Sequence, residues 1–301
     1  MRANSTVALI VVSKGRPAVL KETLEGFPLQ TLKASQIVVV VTCDDDLPPQ
    51  ERPDFIEFYI GKPGICRQRN HGLEKIAPGT DYVAFFDDDM ELKPDYLEKA
   101  VNFLDCYPAI VAITGWIERD GDISREEARR AIAEYRPKET YRGTFIRDVK
   151  HTILYGCAMV MRGSVMKYEK FDENLPLYAY GEDYDISMRL RRYGFIGKYM
   201  ECVGVHLASS GGRINEVQRG YSMIANNWYF IRKGVCHLPP MLAHLRFWTI
   251  VFGKHLVLAF WDMLKGNKPL NNARRAWGYL IGVGDVLRGR SSPERMLDFS
   301  K

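Results

Sequence analysis

The sequence predicts an α/β protein built on a mostly parallel, doubly wound sheet, and three observations carry that reading. First, Val7 to Val12, Ile37 to Val41 and Tyr82 to Phe86 are apolar on both faces. Parallel strands covered by helices on each side read this way. Second, helical patterns alternate with them, through Leu20, Leu24 and Phe27 after the first run, and through Arg67, Arg69, Asn70 and Leu73 before the third. Three β-α units in about 90 residues make an α/β start. Third, each run ends in polar groups: Lys14 and Arg16, then Asp44 and Asp45, then Asp87, Asp88 and Asp89. Ligands of such sheets bind beyond the carboxyl ends of the strands, so these side chains converge on one rim.

The later elements are less regular. A helix is expected from Asp95 to Leu104, a strand from Ile110 to Thr114, and a charged helix from Ser124 to Tyr135. Ser124 followed three residues later by Glu127 is a capping-box start. A further strand runs from Tyr199 to Val205 and ends at His206.

Asp87-Asp88-Asp89 stands directly after an apolar strand, where three carboxylates repel unless a cation sits among them. Asp87 and Asp89 point the same way in an extended segment, and a hard divalent ion held by one or two carboxylates completes its shell with phosphate oxygens. Glu182, Asp183 and Asp185 open a helix that carries Ile186 and Leu190 on one face and stops at Gly194. Carboxylates at a helix start complement its dipole, and one of them is also held ionised on a rigid element, as a proton acceptor requires. The residues alone leave both roles open.

The ordered series of a strand-end Asp-x-Asp, Gly156-Cys157, Phe171-Asp172-Glu173, Gly181-Glu182-Asp183-x-Asp185, Arg189, Gly194 and His206 resembles glycosyltransferase family 2. The likeness covers about residues 6 to 210 and includes rhamnosyltransferase-like members that assemble bacterial surface polysaccharides. It implies the GT-A fold: a Rossmann-like, mostly parallel sheet flanked by helices, here with a C-terminal helical appendage rich in basic and aromatic residues. Residues 1–235 would form the catalytic domain, with a nucleotide-sugar half to about residue 105 and an acceptor half from about 106. Residues 236–301 would form the appendage.

The activity implied is inverting, metal-dependent transfer of a hexosyl group from a nucleoside-diphosphate sugar, linked to UDP, dTDP or GDP, to a saccharide acceptor carried on a lipid. Residue by residue, Asp44 or Asp45 would contact the nucleotide base, and Arg69 and Asn70 would lie near the nucleotide, with Arg67, Lys14 and Arg16 on the donor side. Asp87 would face the ribose, with Asp88 beside it. Asp89 and His206 would hold the metal, Mn2+ or Mg2+, that bridges the donor phosphates. Asp183 would be the general base, with Glu182 its neighbour in the acceptor site. Two departures stand out: the first loop reads Ser-Lys-Gly-Arg-Pro where many relatives have Tyr-Asn-Arg, and the usual Asp-Gly-Ser after the second strand is absent. Ser209-Ser210-Gly211-Gly212-Arg213 reads as a loop able to close over phosphates through Arg213.

Bulk properties frame these expectations. The net charge is +5, and the excess sits in residues 246 to 301, with ten Lys and Arg against four Asp and Glu. Trp248, Phe252, Phe260, Trp261, Trp277 and Tyr279 interleave there with Lys254, His255, Lys265, Lys268, Arg274 and Arg275. Such a segment suits an anionic membrane surface, or packing against the catalytic domain or a second copy of the chain, rather than a nucleic acid. Arg246, Lys254 and Asp262 interrupt every run long enough to span a bilayer. Six scattered cysteines without a C-x-x-C pair read as free thiols in a reducing compartment. With no cleavable leader pattern at Met1 to Asn4, the expected location is the cytoplasm at the inner membrane face.

Two other readings compete. A sugar-phosphate nucleotidyltransferase would carry a G-x-G phosphate loop after the first strand, which Ser13 to Pro17 does not provide. A non-catalytic saccharide- or membrane-binding protein of the same fold would have no need of Asp87, Asp89, Asp183 and His206 together.

Overall fold

The computed structural model describes residues 5–48, 53–121, 123–146, 153–209, 211, 214–236, 242, 247, 257, 261 and 269–300. The packing divides the chain into two compact units. One comprises residues 1–63, 67–171 and 189–212, the other 64–66, 172–188 and 213–301.

The first unit holds the sheet. Its strands are β1 (Val7–Val12), β2 (Gln36–Val41), β3 (Ile56–Ile60), β4 (Tyr82–Asp87), β5 (Met90–Leu92), β6 (Ile110–Asp120), β7 (Phe145–Ile146), β8 (Ala158–Arg162) and β9 (Phe195–His206). They run in the order β3-β2-β1-β4-β8-β6-β9-β5, with β7 also on β9. Strands β3, β2, β1 and β4 are parallel, as are β6 and β9, while β8 lies antiparallel between β4 and β6.

Why these residues fold this way follows from burial. Every side chain of β1 is buried, because Val7, Leu9 and Val11 face one layer and Ala8, Ile10 and Val12 the other. Covering a Val, Leu or Ile completely is worth about 1.5–3 kcal/mol, so a strand with five such residues and an alanine is stable only between two layers. On one side Leu9 and Val11 pack with Leu20 and Leu24 of α1 (Pro17–Gly26) and with Leu97, Ala100 and Leu104 of α3 (Tyr96–Cys106). On the other, Gly72 of α2 (Ile65–Leu73) lies against Ile10, where a Cβ would fall 2.6 Å from its methyl carbon.

The expected strands and helices are present, with β3, β5 and β7 among the additions. Strand β3, Ile-Glu-Phe-Tyr-Ile, escapes the sequence reading because only Ile56 of its five residues is fully buried, as befits a sheet edge. The second of the three expected β-α units is therefore β2, β3 and α2. Helix α4 (Arg125–Glu134) begins with the anticipated capping box between Ser124 and Glu127.

The second unit is built on α7 (Glu216–Lys233) and α8 (Pro269–Leu287). Their backbones touch: a Cβ at Gly220 would lie 2.1 Å from the Arg275 carbonyl oxygen, and one at Gly278 would lie 2.2 Å from that of Val217. Ile224, Phe247, Tyr279, Val283 and Val286 fill the interface beyond the glycines. Asn215 caps α7, and Gly234, left-handed at φ 74°, ends it. No helix among the described residues is long and apolar enough to cross a membrane. The phosphate-closing role expected of Arg213, and those of Trp248, Lys254, His255 and the other aromatic and basic residues between 248 and 268 save Trp261, fall outside the described residues.

Candidate active site

The rim is assembled by the loops after β1, β2 and β4 and by the end of β9. The first of these loops turns at Gly15, whose φ of 69° favours glycine. Its N–H donates to Asp46 Oδ1 at 2.6 Å, and Asp46 Oδ2 accepts from the Thr42 N–H at 3.1 Å and from the Thr42 hydroxyl. Burial alone would raise the Asp46 carboxyl, but the Thr42 and Gly15 hydrogen bonds outweigh it and hold it below the usual range. Asp44 and Asp45, the sequence candidates, are exposed on the same turn, whereas Asp46 is buried. One turn of 3-10 helix over Asp44–Asp46 decides which of the three aspartates faces in, and no feature of the sequence signals that choice.

Three consecutive carboxylates after β4 take three different environments. Asp88 is fully buried, accepts from the Ser13 hydroxyl and pairs with Arg16, and its own carbonyl accepts from Thr23 Oγ1 at 2.6 Å. Burial pushes it up to about 7 in spite of Arg16. Asp87 and Asp89 leave the strand on the other side. Asp87 Oδ1 accepts from Arg69 Nη2 at 3.2 Å. Asp89 Oδ2 accepts from Arg16 Nη1 at 3.0 Å and from the Ser209 N–H at 2.8 Å. Arg16 Nη1 also donates to the Ser209 carbonyl at 3.1 Å, so this one guanidinium joins the first loop, the acidic cluster and the segment after β9.

His206 completes the group. Its Nε2 lies 3.2 Å from Asp89 Oδ1 and 3.9 Å from Asp87 Oδ2, and its Nδ1 lies 2.7 Å from Asp120 Oδ1. One ligand atom from each of Asp87, Asp89 and His206 fits within 4.8 Å. The electrostatics favour positive charge here. Burial would lower His206, but Asp89, Asp87 and Asp120 push it up to about 9. Burial would likewise raise Asp89, but His206, Arg16 and the Ser209 amide hold it down at about 2. Asp89 Oδ1 is buried and, apart from the approach of His206 Nε2, has no hydrogen-bond partner among the described residues. An orphaned carboxylate oxygen beside an imidazole nitrogen is the donor set a divalent cation takes, so Asp87, Asp89 and His206 could hold one. Asp87, expected on the ribose side, stands in this group.

The remaining donor-side candidates separate. Arg69 is 2% exposed, donates to Asp87 and to the Gly156 carbonyl at 2.8 Å, and lies over the Phe171 ring at 5.1 Å. It therefore acts on the rim through Asp87. Asn70 is buried, donates to the Phe171 carbonyl at 2.9 Å and accepts the Phe171 N–H at 2.8 Å. Arg67 is half-buried and Lys14 exposed, and neither has an ion pair among the described residues.

In the second unit, the chain reaches α6 (Glu182–Leu190) through Leu177, Ala179 and Gly181, all at positive φ of 52°, 50° and 84°. A Cβ at Gly181 would lie 2.8 Å from the Phe230 ring. Glu182 is buried and Asp183 half-buried in the first turn, where Asp183 Oδ1 accepts the Tyr184 N–H at 2.8 Å. Asp185 is buried and pairs with Lys233 Nζ at 2.6 Å. That nitrogen also pairs with Asp172 at 2.6 Å, which Tyr229 reaches by a 2.7 Å hydrogen bond. The partner of Asp185 is thus a lysine 48 residues away, which no local pattern announces.

Known proteins agree with this architecture. S. aureus TarS residues 1–349 superposes with a TM-score of 0.56 at 14% identity, covering 97% of this chain and 82% of that one. Its complex with UDP-GlcNAc gives a TM-score of 0.57, also at 14% identity, with the same coverage. GalNAc-T7, solved with UDP, GalNAc and Mn2+, gives 0.51 at 14% identity over 69% of this chain and 44% of that one. At these identities the likeness establishes the fold. No curated protein sequence matches. The model of "Glycosyl transferase family 2" matches residues 8–169, a stretch that runs from β1 through the acidic cluster and past β8. With more than half of its length inside that model, the chain belongs to glycosyl transferase family 2 and is a glycosyltransferase that uses a nucleotide sugar.

Proposed function

We propose that this enzyme transfers a hexosyl group, with inversion and with the help of a divalent cation, from a nucleoside-diphosphate sugar to a lipid-linked saccharide in bacterial surface polysaccharide synthesis. The observation that carries the proposal is the meeting of Asp87, Asp89 and His206 at the carboxyl end of the sheet. These three residues would hold the cation, which when bound would neutralise charge on the departing diphosphate. Arg16 holds Asp89 in place, and Arg69 holds Asp87.

Asp183 takes the proton of the acceptor hydroxyl as its oxygen forms the new bond to the anomeric carbon and the bond to the diphosphate oxygen breaks. One base acting opposite the leaving group makes this a single displacement. Its support is its place in the first turn of α6, where the helix dipole favours the ionised carboxylate. The donor is a uridine, thymidine or guanosine diphosphate sugar, and a uridine donor has the support of solved neighbours that carry UDP-GlcNAc or UDP. The lipid-linked acceptor is supported by α8, which exposes Trp277, Leu280 and Leu287 beside Arg274 and Arg288.

The test is a panel of nucleoside diphosphates assayed for thermal stabilisation with and without Mn2+. A ligand at about 100 times its Kd stabilises the native state by about 2.7 kcal/mol. One nucleotide should raise the Tm only when Mn2+ is present, and Asp89→Ala should remove the shift. Asp183→Asn should keep the shift and lose transfer; turnover at the wild-type rate would exclude Asp183 as the base.

A further inference from the structure

Strand β6 runs parallel to β9 and carries three register shifts. The last matters most. Ile117 pairs with Gly204 and Asp120 with His206, so three steps along β6 match two along β9. An extra residue of this kind re-aims the side chains that follow it. Without it Arg119 would stand opposite His206; with it, an acidic residue does. The Asp120 carboxylate meets His206 Nδ1 at 2.7 Å through Oδ1, and its Oδ2 accepts from the Tyr155 hydroxyl. The neighbouring Gly121 N–H donates to the His206 carbonyl at 3.3 Å, which pins the backbone of the pair as well.

The two nitrogens of one ring therefore serve different carboxylates: Nδ1 faces Asp120, and Nε2 faces Asp89 and Asp87. A metal-ligating imidazole needs its second nitrogen protonated and held, and a carboxylate acceptor does this while raising the basicity of the ligating nitrogen. Asp120 lies on β6, outside the acidic run at the end of β4, and it belongs to no motif named above.

We propose that Asp120 is a positioning residue for the cation site: it accepts the Nδ1 proton of His206 and so directs the Nε2 lone pair toward Asp87 and Asp89, with Tyr155 steadying the carboxylate. This rests on the reading of Asp87, Asp89 and His206 as cation ligands. Nothing in the role requires Asp120 to touch the donor, the acceptor or the cation.

Calorimetric titration of the full chain with Co2+ and with Mg2+, in the absence of donor, tests it. Loss of a partner of this kind lowers metal affinity about 10–100-fold. Asp120→Ala should weaken Co2+, which favours imidazole, by that factor, and Mg2+, which favours oxygen ligands, far less. Asp120→Asn, which keeps an acceptor oxygen, should fall between, and Tyr155→Phe should give a smaller Co2+ loss. Asp120 lies at the exposed end of its strand, and unchanged circular dichroism of the variants would confirm that they fold. Wild-type Co2+ affinity in Asp120→Ala overturns the proposal, and so does an equal loss for both ions, since that effect would not pass through the imidazole. If wild type binds neither ion in a manner that Asp89→Ala abolishes, the cation reading itself fails, and this proposal falls with it.

Discussion

At the scale of single residues, the first and second strand loops depend on Asp46. It accepts three hydrogen bonds from two segments, one of them from Gly15. Asp46→Ala leaves those donors without their acceptor, which costs about 1–3 kcal/mol for a buried group. The expected outcome is a lower Tm and a weaker nucleotide Kd, read by thermal denaturation and nucleotide titration. A variant that lost stability alone would show that the Gly15 loop holds its shape by other means. Asp46 also marks what a sequence withholds. The strand-end carboxylates are legible because an apolar run stops at them, but which of Asp44, Asp45 and Asp46 turns inward depends on backbone torsions set in three dimensions. His206 was legible from its motif, while its pairing with Asp120 depends on a register shift 86 residues away.

At the scale of elements, β1, β2 and β4 could be read directly, because strands buried on both faces have no polar alternation to confuse them. Strand β3 could not, since an edge carries a mixed pattern that a loop can also show. Two element-level predictions follow from contacts in the second unit. Gly220 sits where α7 and α8 touch, so Gly220→Val must push the backbones apart. Overpacking of this kind costs about 1–3 kcal/mol, and a Tm drop of several degrees is expected. The other concerns Asp172, joined to α7 by Lys233 and Tyr229. Burial would raise its carboxyl, but those hydrogen bonds and one from the Asn174 amide outweigh it and hold it below its ordinary value. A carboxylate depressed in the folded state adds stability above its unfolded pKa of about 3.9 and loses it as pH falls through the folded value. Asp172→Asn should therefore be less stable than wild type at pH 7, and the difference in Tm should shrink below about pH 4. A deficit that stays constant down to pH 2 would assign the effect to packing.

At the scale of the whole molecule, the excess positive charge gathers in the C-terminal residues while the sheet carries the acidic rim. The proposed membrane contact through α8 predicts co-sedimentation with vesicles of anionic phospholipid, little with neutral ones, and release at high salt, since each basic residue near such a surface contributes about 1 kcal/mol. Trp277→Ala combined with Leu280→Ala should reduce the bound fraction at low salt. Retention of the double variant and the wild type on neutral vesicles alike would remove the electrostatic part of the proposal.

The turn into α6 has a consequence for anyone engineering this enzyme. Leu177 and Ala179 adopt left-handed backbone conformations that glycine adopts without strain, immediately before the helix that carries Asp183. Directed evolution for heat tolerance would find this segment an obvious place to relax, by exchanging Ala179 for glycine. Such an exchange also loosens the mooring of Asp183, so under the proposal that Asp183 is the base, variants selected there for durability should emerge as slower catalysts, and selection for speed should keep the strained residues in place.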